Sequence, residues 1–315
     1  MQEYNVKSAV AMIVFNRPDT TRRVFEKVRQ VKPTKLFIIA DGPRENNKDD
    51  LVKCAEVREI FNNIDWDCKL FTNYSERNLG CGKRPATGIS WVFENVDEAI
   101  FLEDDCVPDI SFFRFCDEML ERYRYDSRIM LISGTNQLIE WHRGEYSYHF
   151  SNFGGIWGWA SWARAWKYFD IEISLWENPI IKEVLKFKLD KIQYYSRSQI
   201  YDELLYNSKN TTAWDYQWGF ARLIQSGLAI VPSKNLITNI GHSSDATHTH
   251  NKNSPVANLP TKSLEFPLNH PPYVIADKEY DTLMYQKITA PYWRIYLSMF
   301  KNKLMRYLKK AYLKL

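Results

Sequence analysis

The chain has 315 residues, of which 45% are hydrophobic and 25% charged, and its formal net charge is +4. This composition excludes a disordered or collagen-like chain and suffices for one large domain with an appendage. Seven bases and no acid lie in residues 291–315, so subtracting them leaves −3 for the rest of the chain. A mildly acidic body argues against nucleic acid as a partner.

Five cysteines without C-x-x-C spacing indicate neither a disulfide framework nor a zinc knuckle, and favour reduced thiols in a cytoplasmic protein. The N-terminus has no basic region followed by a long apolar core. No stretch reaches the roughly 18 consecutive apolar residues of a membrane span. Secretion and membrane spanning are therefore not expected.

The first 135 residues alternate short apolar runs with helical patterns, which predicts the strand–helix units of a parallel sheet. Right-handed crossovers limit such a sheet to a Rossmann-like α/β arrangement flanked by helices. The predicted strands are Val6–Phe15, Leu36–Ala40, Lys69–Thr72, Ala99–Leu102 and Ile129–Ile132. The predicted helices are Arg22–Gln30, Asp49–Ile64, Ala86–Asn95 and Ile110–Tyr125.

Polar residues follow the predicted strands, and parallel strands bring such ends to one edge of the sheet, where ligands bind. Bases at this edge suit phosphates, and acids suit a metal ion, hydroxyl groups or base N–H groups. The glycine-rich loops of P-loop ATPases and dinucleotide dehydrogenases are absent from the sequence. The polar segments are Asn16–Arg17, Asp41–Gly42, Arg77–Asn78, Lys83–Arg84 and Glu103–Asp105. Together they predict a nucleotide site.

The acidic segment is the most informative of these. Glu103, Asp104 and Asp105 follow a buried strand directly, and their mutual repulsion calls for a divalent cation, ligand donors or full exposure to water. Ligands that offer only oxygen favour Mg²⁺ or Mn²⁺. Taken alone, the segment fits a solvated loop with an acidic helix cap equally well, because Pro108 and Asp109 indicate a turn.

The second half of the chain carries two further motifs. Residues Phe153–Trp162 hold three glycines and three tryptophans, which suits a sugar site but equally a glycine-kinked strand with core aromatics. The segment Thr211–Trp218 opens an amphipathic helix that runs to Gln225, and Asp215 by itself fits an acid near a helix N-terminus. The strand Leu228–Pro232 follows. Asp170–Asn210 is predicted to be helical.

Three of the six histidines, His242, His248 and His250, lie in one late loop. After an irregular connector over residues 251–290, apolar and aromatic residues recur at helical spacing within 291–315 among the bases. Such a basic amphipathic helix favours an anionic membrane surface, and the alternative is a helix that docks on the body or in a dimer.

The segments Phe15–Pro18, Asp41–Gly42, Arg77–Gly80 and Glu103–Asp105, the last followed by Pro108 and Phe112–Phe113, resemble the GT-A fold of nucleotide-sugar glycosyltransferases. The pattern is similar to the N-acetylglucosaminyltransferase I type, which has a Glu-Asp-Asp metal motif. The resemblance covers residues 1–250. It implies a nucleotide-sugar half over 1–135 and an acceptor half over 136–250.

The resemblance also implies roles for individual residues. Asp105 would ligate Mn²⁺ or Mg²⁺, with His242 completing the shell, and Asp215 would be the catalytic base. The donor sugar and ribose would contact Glu103 and Asp104. The remaining donor-site residues would be Asn16, Arg17, Asp41 (toward uracil), Arg77, Asn78, Lys83 and Arg84, and the acceptor-side residues would be Trp157, Trp159 and Trp218.

The resemblance thus implies a metal-dependent, inverting glycosyltransferase that moves a sugar from a nucleoside-diphosphate sugar, such as a UDP-sugar, to a glycan or lipid-linked glycan. A role in bacterial surface polysaccharide synthesis, in the cytoplasm at the inner face of the membrane, is expected. Two alternatives stay open. One is a sugar-nucleotide nucleotidyltransferase, and the other is a carbohydrate-binding protein without catalytic activity.

Overall fold

The computed structural model describes residues 4–206, 213–241 and 256–289, together with residues 295 and 297. An eight-stranded sheet forms its centre, and two further short strands form a separate ribbon. The strands are β1 Ala9–Val14, β2 Lys35–Ala40, β3 Lys69–Tyr74, β4 Glu98–Glu103, β5 Cys106–Pro108, β6 Ile129–Ser133, β7 Tyr148–Ser151, β8 Trp159–Trp162, β9 Leu228–Pro232 and β10 Ile237–Asn239.

Helices occupy most of the connections between the strands and cover both faces of the sheet. They are α1 Pro18–Val31, α2 Lys48–Ile60, α3 Gly80–Phe93, α4 Ser111–Arg122, α5 Ala163–Trp166, α6 Pro179–Lys188, α7 Lys191–Tyr206, α8 Asp215–Ile224 and α9 Lys278–Ile288, with a 3₁₀ turn at Ser174–Glu177.

The strand order in the large sheet is β3-β2-β1-β4-β8-β6-β9-β7. Strands β3, β2, β1, β4, β6 and β9 run in one direction, and only β8 and β7 are antiparallel to their neighbours. The prediction of a mostly parallel central sheet flanked by helices is therefore confirmed. Strands β5 and β10 pair antiparallel and join the end of the acidic segment to a late part of the chain.

The core consists of two layers, because successive residues of a strand point to opposite faces of the sheet. In β1, Val10 and Met12 pack with apolar residues of α1, α2 and α4. Ala11 and Ile13 face the other layer, to which α3, α5, α7, α8 and α9 contribute. Both faces of β1 are thus buried, as its unbroken apolar sequence predicts.

Helix α3 begins six residues before the predicted start at Ala86. The backbone N–H groups of Leu79 and Gly80 donate to the carboxylate of Asp41, which satisfies donors that a helix N-terminus leaves without partners. Lys83 and Arg84 consequently lie in a helix and not in a polar loop, and Pro85 is inside the first turns.

Part of the segment predicted to be an irregular connector is helical. Helix α9 begins after Asp277, whose side chain accepts hydrogen bonds from the N–H groups of Glu279 and Tyr280. Tyr280, Met284 and Tyr285 are buried in the second core layer. The basic helix predicted over residues 291–315 lies outside the described residues apart from positions 295 and 297, so it stays a prediction. None of the helices in the described ranges is both long and apolar enough to cross a membrane.

A buried histidine lies in β7. His149 is 3% exposed, and its ring centroid is 4.2 Å from that of Tyr280. Neither of its ring nitrogens has a hydrogen-bond partner within the described ranges. Burial lowers the pKa of His149 to about 4, a shift that Asp277 opposes and that Arg143 and His142 reinforce. The folded protein therefore holds this imidazole neutral well below the pH at which an unfolded chain would protonate it.

This shift predicts a pH-dependent stability. The unfolded chain binds a proton at His149 near pH 6.5 and the folded chain only near pH 4, so the stabilisation is complete above pH 6.5 and is lost as the pH falls toward 4. We expect His149→Phe to reduce the loss of unfolding free energy between pH 7 and pH 5 by about 2 kcal/mol. Chemical denaturation at the two pH values measures it, with Tyr125→Phe at a surface position that is 93% exposed as control. Equal losses in wild type and His149→Phe would contradict the prediction.

Candidate functional site

The acidic segment lies at the carboxyl end of β4, beside the end of β1. Glu103 is in register with Ile13, and the N–H of Asp104 donates to the carbonyl of Ile13 at 3.0 Å. On the other side, the N–H of Ile240 donates to the carbonyl of Asp105 at 2.9 Å. Main-chain hydrogen bonds to β1 and to the segment around Ile240 therefore fix the three carboxylates at one edge of the sheet, as predicted.

Arg17 bridges two of these carboxylates. Its Nη1 donates to Asp105 Oδ2 at 3.0 Å, and its Nη2 forms an ion pair with Asp104 Oδ1. Although burial disfavours the charged guanidinium, Asp104 and Asp105 hold the pKa of Arg17 above its ordinary value. Arg17 lies just before α1, so it joins the loop after β1 to the end of β4 and offsets part of the repulsion among the acids.

Glu103, Asp105 and Cys106 have ligating atoms that all lie within 4.8 Å of one another. Burial, Asp105 and Asp104 together raise the pKa of Glu103 to about 8, so the carboxylates repel one another strongly. Burial also raises the pKa of the Cys106 thiol, whose Sγ donates to Asp105 Oδ1 at 3.3 Å. A protonated thiol is a poor ligand for Mn²⁺ or Mg²⁺, whereas the carboxylates of Glu103 and Asp105 fit either ion.

Asn239, the last residue of β10, and Gly241 complete the surroundings of Asp105 and were not singled out as ligand neighbours from the sequence. The Nδ2 of Asn239 lies 3.5 Å from Asp105 Oδ1. A Cβ at position 241 would overlap Asp105 Oδ2 and lie 3.1 Å from Arg17 Nη1, so only glycine allows the chain to pass this closely. The following residue, His242, lies outside the described residues, and its predicted role as a metal ligand stays a prediction.

Asp41 has an internal role that the sequence did not reveal. Its Oδ1 accepts from the N–H groups of Gly42 and Leu79, both at 2.9 Å, and its Oδ2 accepts from the N–H of Gly80 at 3.0 Å and from Asn78 Nδ2 at 3.1 Å. The side chain is buried. Burial raises the pKa of Asp41, and the three backbone N–H groups oppose that shift. All four ordinary acceptor positions of the carboxylate are filled, so its geometry supports capping α3 rather than the predicted contact with uracil.

Asn16 and Arg84 also have internal partners. The Nδ2 of Asn16 donates to Asp50 at 2.7 Å, and Asp50 in turn binds Arg44. Arg84 is buried, with Nε 3.2 Å from the carbonyl of Ala40 and Nη2 bonded to the main-chain and side-chain oxygens of Asn73. Asn16 therefore ties the loop after β1 to α2, and Arg84 ties α3 to β2 and β3, whereas the sequence placed both side chains against the donor.

Arg77 and Lys83 are exposed near the same edge, as donor-site bases would need to be. Asn78 is half-buried, and besides its bond to Asp41 its Nδ2 donates to the carbonyl of Gly42 at 2.9 Å. The side chains of Arg77 and Lys83 remain candidates for phosphate contact, and Asn78 shapes the loop that carries Arg77.

A cavity of about 250 Å³ lies on the α8 side of the sheet edge. We call it the α8 cavity; its lining includes Gly154, Gly155, Trp157, Asp215 and Trp218. The charge of Asp215 contributes to the raised pKa of Glu103, so the predicted base and the acidic segment influence each other although they are more than 100 positions apart in the chain. The segment before β8 and the start of α8 therefore meet at the α8 cavity.

The three tryptophans assigned to the acceptor side have different environments. Trp157 is partly exposed and lines the α8 cavity, as expected. Trp159 is 1% exposed, and its ring stacks on Phe101 with centroids 4.5 Å apart, so it belongs to the core and the prediction of a wall residue is wrong. Trp218 is fully buried but contributes to the cavity wall.

No protein-family model matches the chain, and no curated protein matches it either. Among solved structures, it is similar to the mannosyltransferase PcManGT from Pyrobaculum calidifontis in complex with GDP-Man and Mn²⁺, at 11% identity and a TM-score of 0.34, over 50% of this chain and 45% of that one. It is also similar to HddC from Yersinia pseudotuberculosis, at 10% identity and a TM-score of 0.27, over 45% of this chain and 59% of that one.

The chain thus spans about half the length of each of these two structures. At TM-scores this low, neither likeness bears on what the chain binds or does. Neither protein is of the N-acetylglucosaminyltransferase I type, so that narrower resemblance gains no support from them. The function has to be argued from the geometry of the site.

The environment of Asp41 predicts a loss of stability on substitution. Asp41→Asn would turn an amide group toward backbone donors that now have carboxylate acceptors, and we expect a loss of roughly 1–3 kcal/mol in unfolding free energy. Chemical denaturation measures it, with Asp49→Asn on the exposed first turn of α2 as control. Weaker nucleotide binding at unchanged stability would instead support the contact with a base.

Proposed function

We propose that this chain is a metal-dependent, inverting glycosyltransferase that uses a nucleoside-diphosphate sugar, with UDP as the nucleotide to test first. The observation that carries the proposal is the cluster of Glu103 and Asp105 at the carboxyl end of β4, together with Asp215, which lines the α8 cavity and whose charge acts on Glu103. In open α/β sheets this edge is where ligands bind. The acceptor is proposed to be a glycan or a lipid-linked glycan, in bacterial surface polysaccharide synthesis.

The carboxylates of Glu103 and Asp105 would hold Mn²⁺ or Mg²⁺ and so bring the donor diphosphate to an otherwise repulsive acidic edge. Such an ion supplies Lewis-acid stabilisation of the negative charge on the leaving diphosphate. Arg17 keeps Asp104 and Asp105 in place. The exposed side chains of Arg77 and Lys83 would add positive charge near the phosphates.

Asp215 is proposed to be the general base. Its carboxylate would accept the proton of an acceptor hydroxyl while that oxygen forms a bond to the anomeric carbon and the bond from this carbon to the diphosphate breaks. Attack from the side opposite the leaving group inverts the anomeric configuration. The position of Asp215 in the first turn of α8 stabilises its negative charge before the transfer.

The donor site predicts metal-dependent nucleotide binding. In calorimetric titrations of UDP with and without Mn²⁺, we expect binding that requires Mn²⁺ in the wild type and is abolished in Asp105→Asn. Asp67→Asn, an exposed acid distant in sequence from the site, should bind as the wild type does. No binding of UDP, GDP or dTDP under any of these conditions would remove the glycosyltransferase proposal, and metal-independent sugar binding would favour a carbohydrate-binding protein.

The proposed role of Asp215 predicts that its substitution slows the transfer step without weakening donor binding. Asp215→Asn keeps the size of the side chain but cannot take up the proton, so kcat should fall by roughly 10²–10⁴-fold while UDP affinity is unchanged. Transfer assays with the UDP-sugar that binds, together with the calorimetric titration, measure both quantities. A kcat within a few-fold of the wild type would show that Asp215 is not the base.

A further inference from the structure

The α8 cavity contains positive charge that the proposed transfer does not use. Its charged lining residues are Arg197 on α7 and Asp215 and Arg222 on α8. Asp215 and Arg222 are seven residues apart, so they lie on one face of the helix at about 10 Å along its axis. The cavity thus has an acid at one end of α8 and a guanidinium two turns further on.

Arg222 is buried with two donors that lack acceptors. It is 3% exposed, and its Nε and Nη1 have no hydrogen-bond partner among the residues that the structure describes. Within the described residues no carboxylate forms an ion pair with it. Asp281 acts on its charge, but the oxygens of Asp281 accept from Ser151 Oγ and from the main-chain and side-chain N–H groups of Asn152. A buried guanidinium with unfilled donors is energetically unfavourable unless a ligand supplies the acceptors.

Arg197 brings a second guanidinium to the same cavity. Its Cζ lies 5.3 Å from the ring centroid of Phe153 and 5.6 Å from that of Tyr216, so aromatic faces hold it in place. Its Nε is buried and finds no hydrogen-bond partner in the described part of the chain. A Cβ at position 219 would lie 3.6 Å from Arg197 Nη1, which places this guanidinium directly over α8.

The charge of Arg197 disfavours the charged form of Arg222, whereas Tyr201, Tyr285, Tyr216 and Asp215 raise the pKa of Arg197 itself against the effect of burial. Burial, and next the charge of Arg197, lower the pKa of Arg222 to about 10, while Tyr201 and Asp281 oppose the shift. Both guanidinium groups stay charged at neutral pH, and an anion between them would relieve the repulsion and fill the free donors. Paired N–H donors of arginine match the oxygens of a carboxylate or a phosphate.

We propose that the α8 cavity binds an oxyanion group, a carboxylate or a phosphate, carried by the sugar acceptor, with Arg222 and Arg197 as donors. That the ligand is the acceptor rests on the proposed function, whereas the oxyanion site itself does not. A cavity of about 250 Å³ has room for a small unit rather than a long glycan. An acidic monosaccharide anchored at Arg222 would reach along α8 and present a hydroxyl group to Asp215.

The test is a calorimetric titration of the full chain, without metal or nucleotide, with glucose, glucuronate, glucose 6-phosphate and inorganic phosphate. We expect a charged ligand to bind more tightly than glucose, and binding to weaken at least about tenfold in Arg222→Met and in Arg197→Met. The matched control is Arg23→Met on the exposed side of α1, which should bind as the wild type does. Circular dichroism checks that each variant folds. If Arg222→Met does not fold, the binding result for Arg197→Met decides the test.

Preference for glucuronate identifies a carboxylate acceptor, and preference for glucose 6-phosphate or inorganic phosphate identifies a phosphorylated one. Equal binding of glucose and the charged sugars, or binding that survives both substitutions, overturns the proposal. UDP and Mn²⁺ are titrated separately on the same proteins. If UDP does not bind but the charged ligands do, only the glycosyltransferase assignment is removed. If UDP binds but the charged ligands do not, only the oxyanion site is removed.

Discussion

The repulsion among the three carboxylates at the end of β4 is the constraint around which the rest of the site is arranged. Arg17, in the loop after β1, offsets part of this repulsion through its ion pairs with Asp104 and Asp105. The main chain around Ile240 fixes Asp105 from the opposite side. Gly241 lets that late segment pass against the carboxylate. Residues more than 200 positions apart are thereby held at one edge of the sheet, and this arrangement leaves Glu103 and Asp105 close enough to share a cation.

The same reasoning separates ligand-facing polar groups from those that support the fold. Asp41 and Arg84 are as polar as any binding residue, but each has its hydrogen-bonding groups directed to backbone atoms of neighbouring strands and helices. Arg197 and Arg222 show the opposite pattern, because donors on both lack acceptors among the described residues. A group whose partners are internal stabilises the scaffold, and one whose partners are missing is available to a ligand.

The sequence was sufficient to predict the parallel half of the sheet, because short unbroken apolar runs such as Leu36–Ala40 are typical of buried parallel strands in an α/β chain. Polar strand ends also predicted which loops would meet. The short strands β7 and β8 were missed, since their four-residue runs lie among glycines and tryptophans without a clear period. Helix α9 was not predicted because it lies in a proline-rich and polar segment. The burial of Tyr280 and Met284 in the second core layer stabilises it.

Site residues were harder to predict because residue type does not reveal which way a side chain points. Trp159 and Trp157 are two positions apart in one motif, yet Trp159 stacks in the core and Trp157 lines the cavity. Arg222 gave no signal at all, because a lone arginine in an amphipathic helix is normally assigned to the solvent face. Only the fold reveals that its face of α8 is turned inward.

The charges of the two neighbouring regions differ in a way that fits a two-substrate reaction. An acidic edge repels a diphosphate unless a cation intervenes, so binding there would depend on metal. The α8 cavity has two guanidinium groups and one carboxylate, so an oxyanion would need no metal to enter it. An oxyanion on the acceptor would then be repelled from the acidic edge, so charge favours its binding in the α8 cavity. Asp215, which lines the cavity and acts on Glu103, lies where the two regions meet.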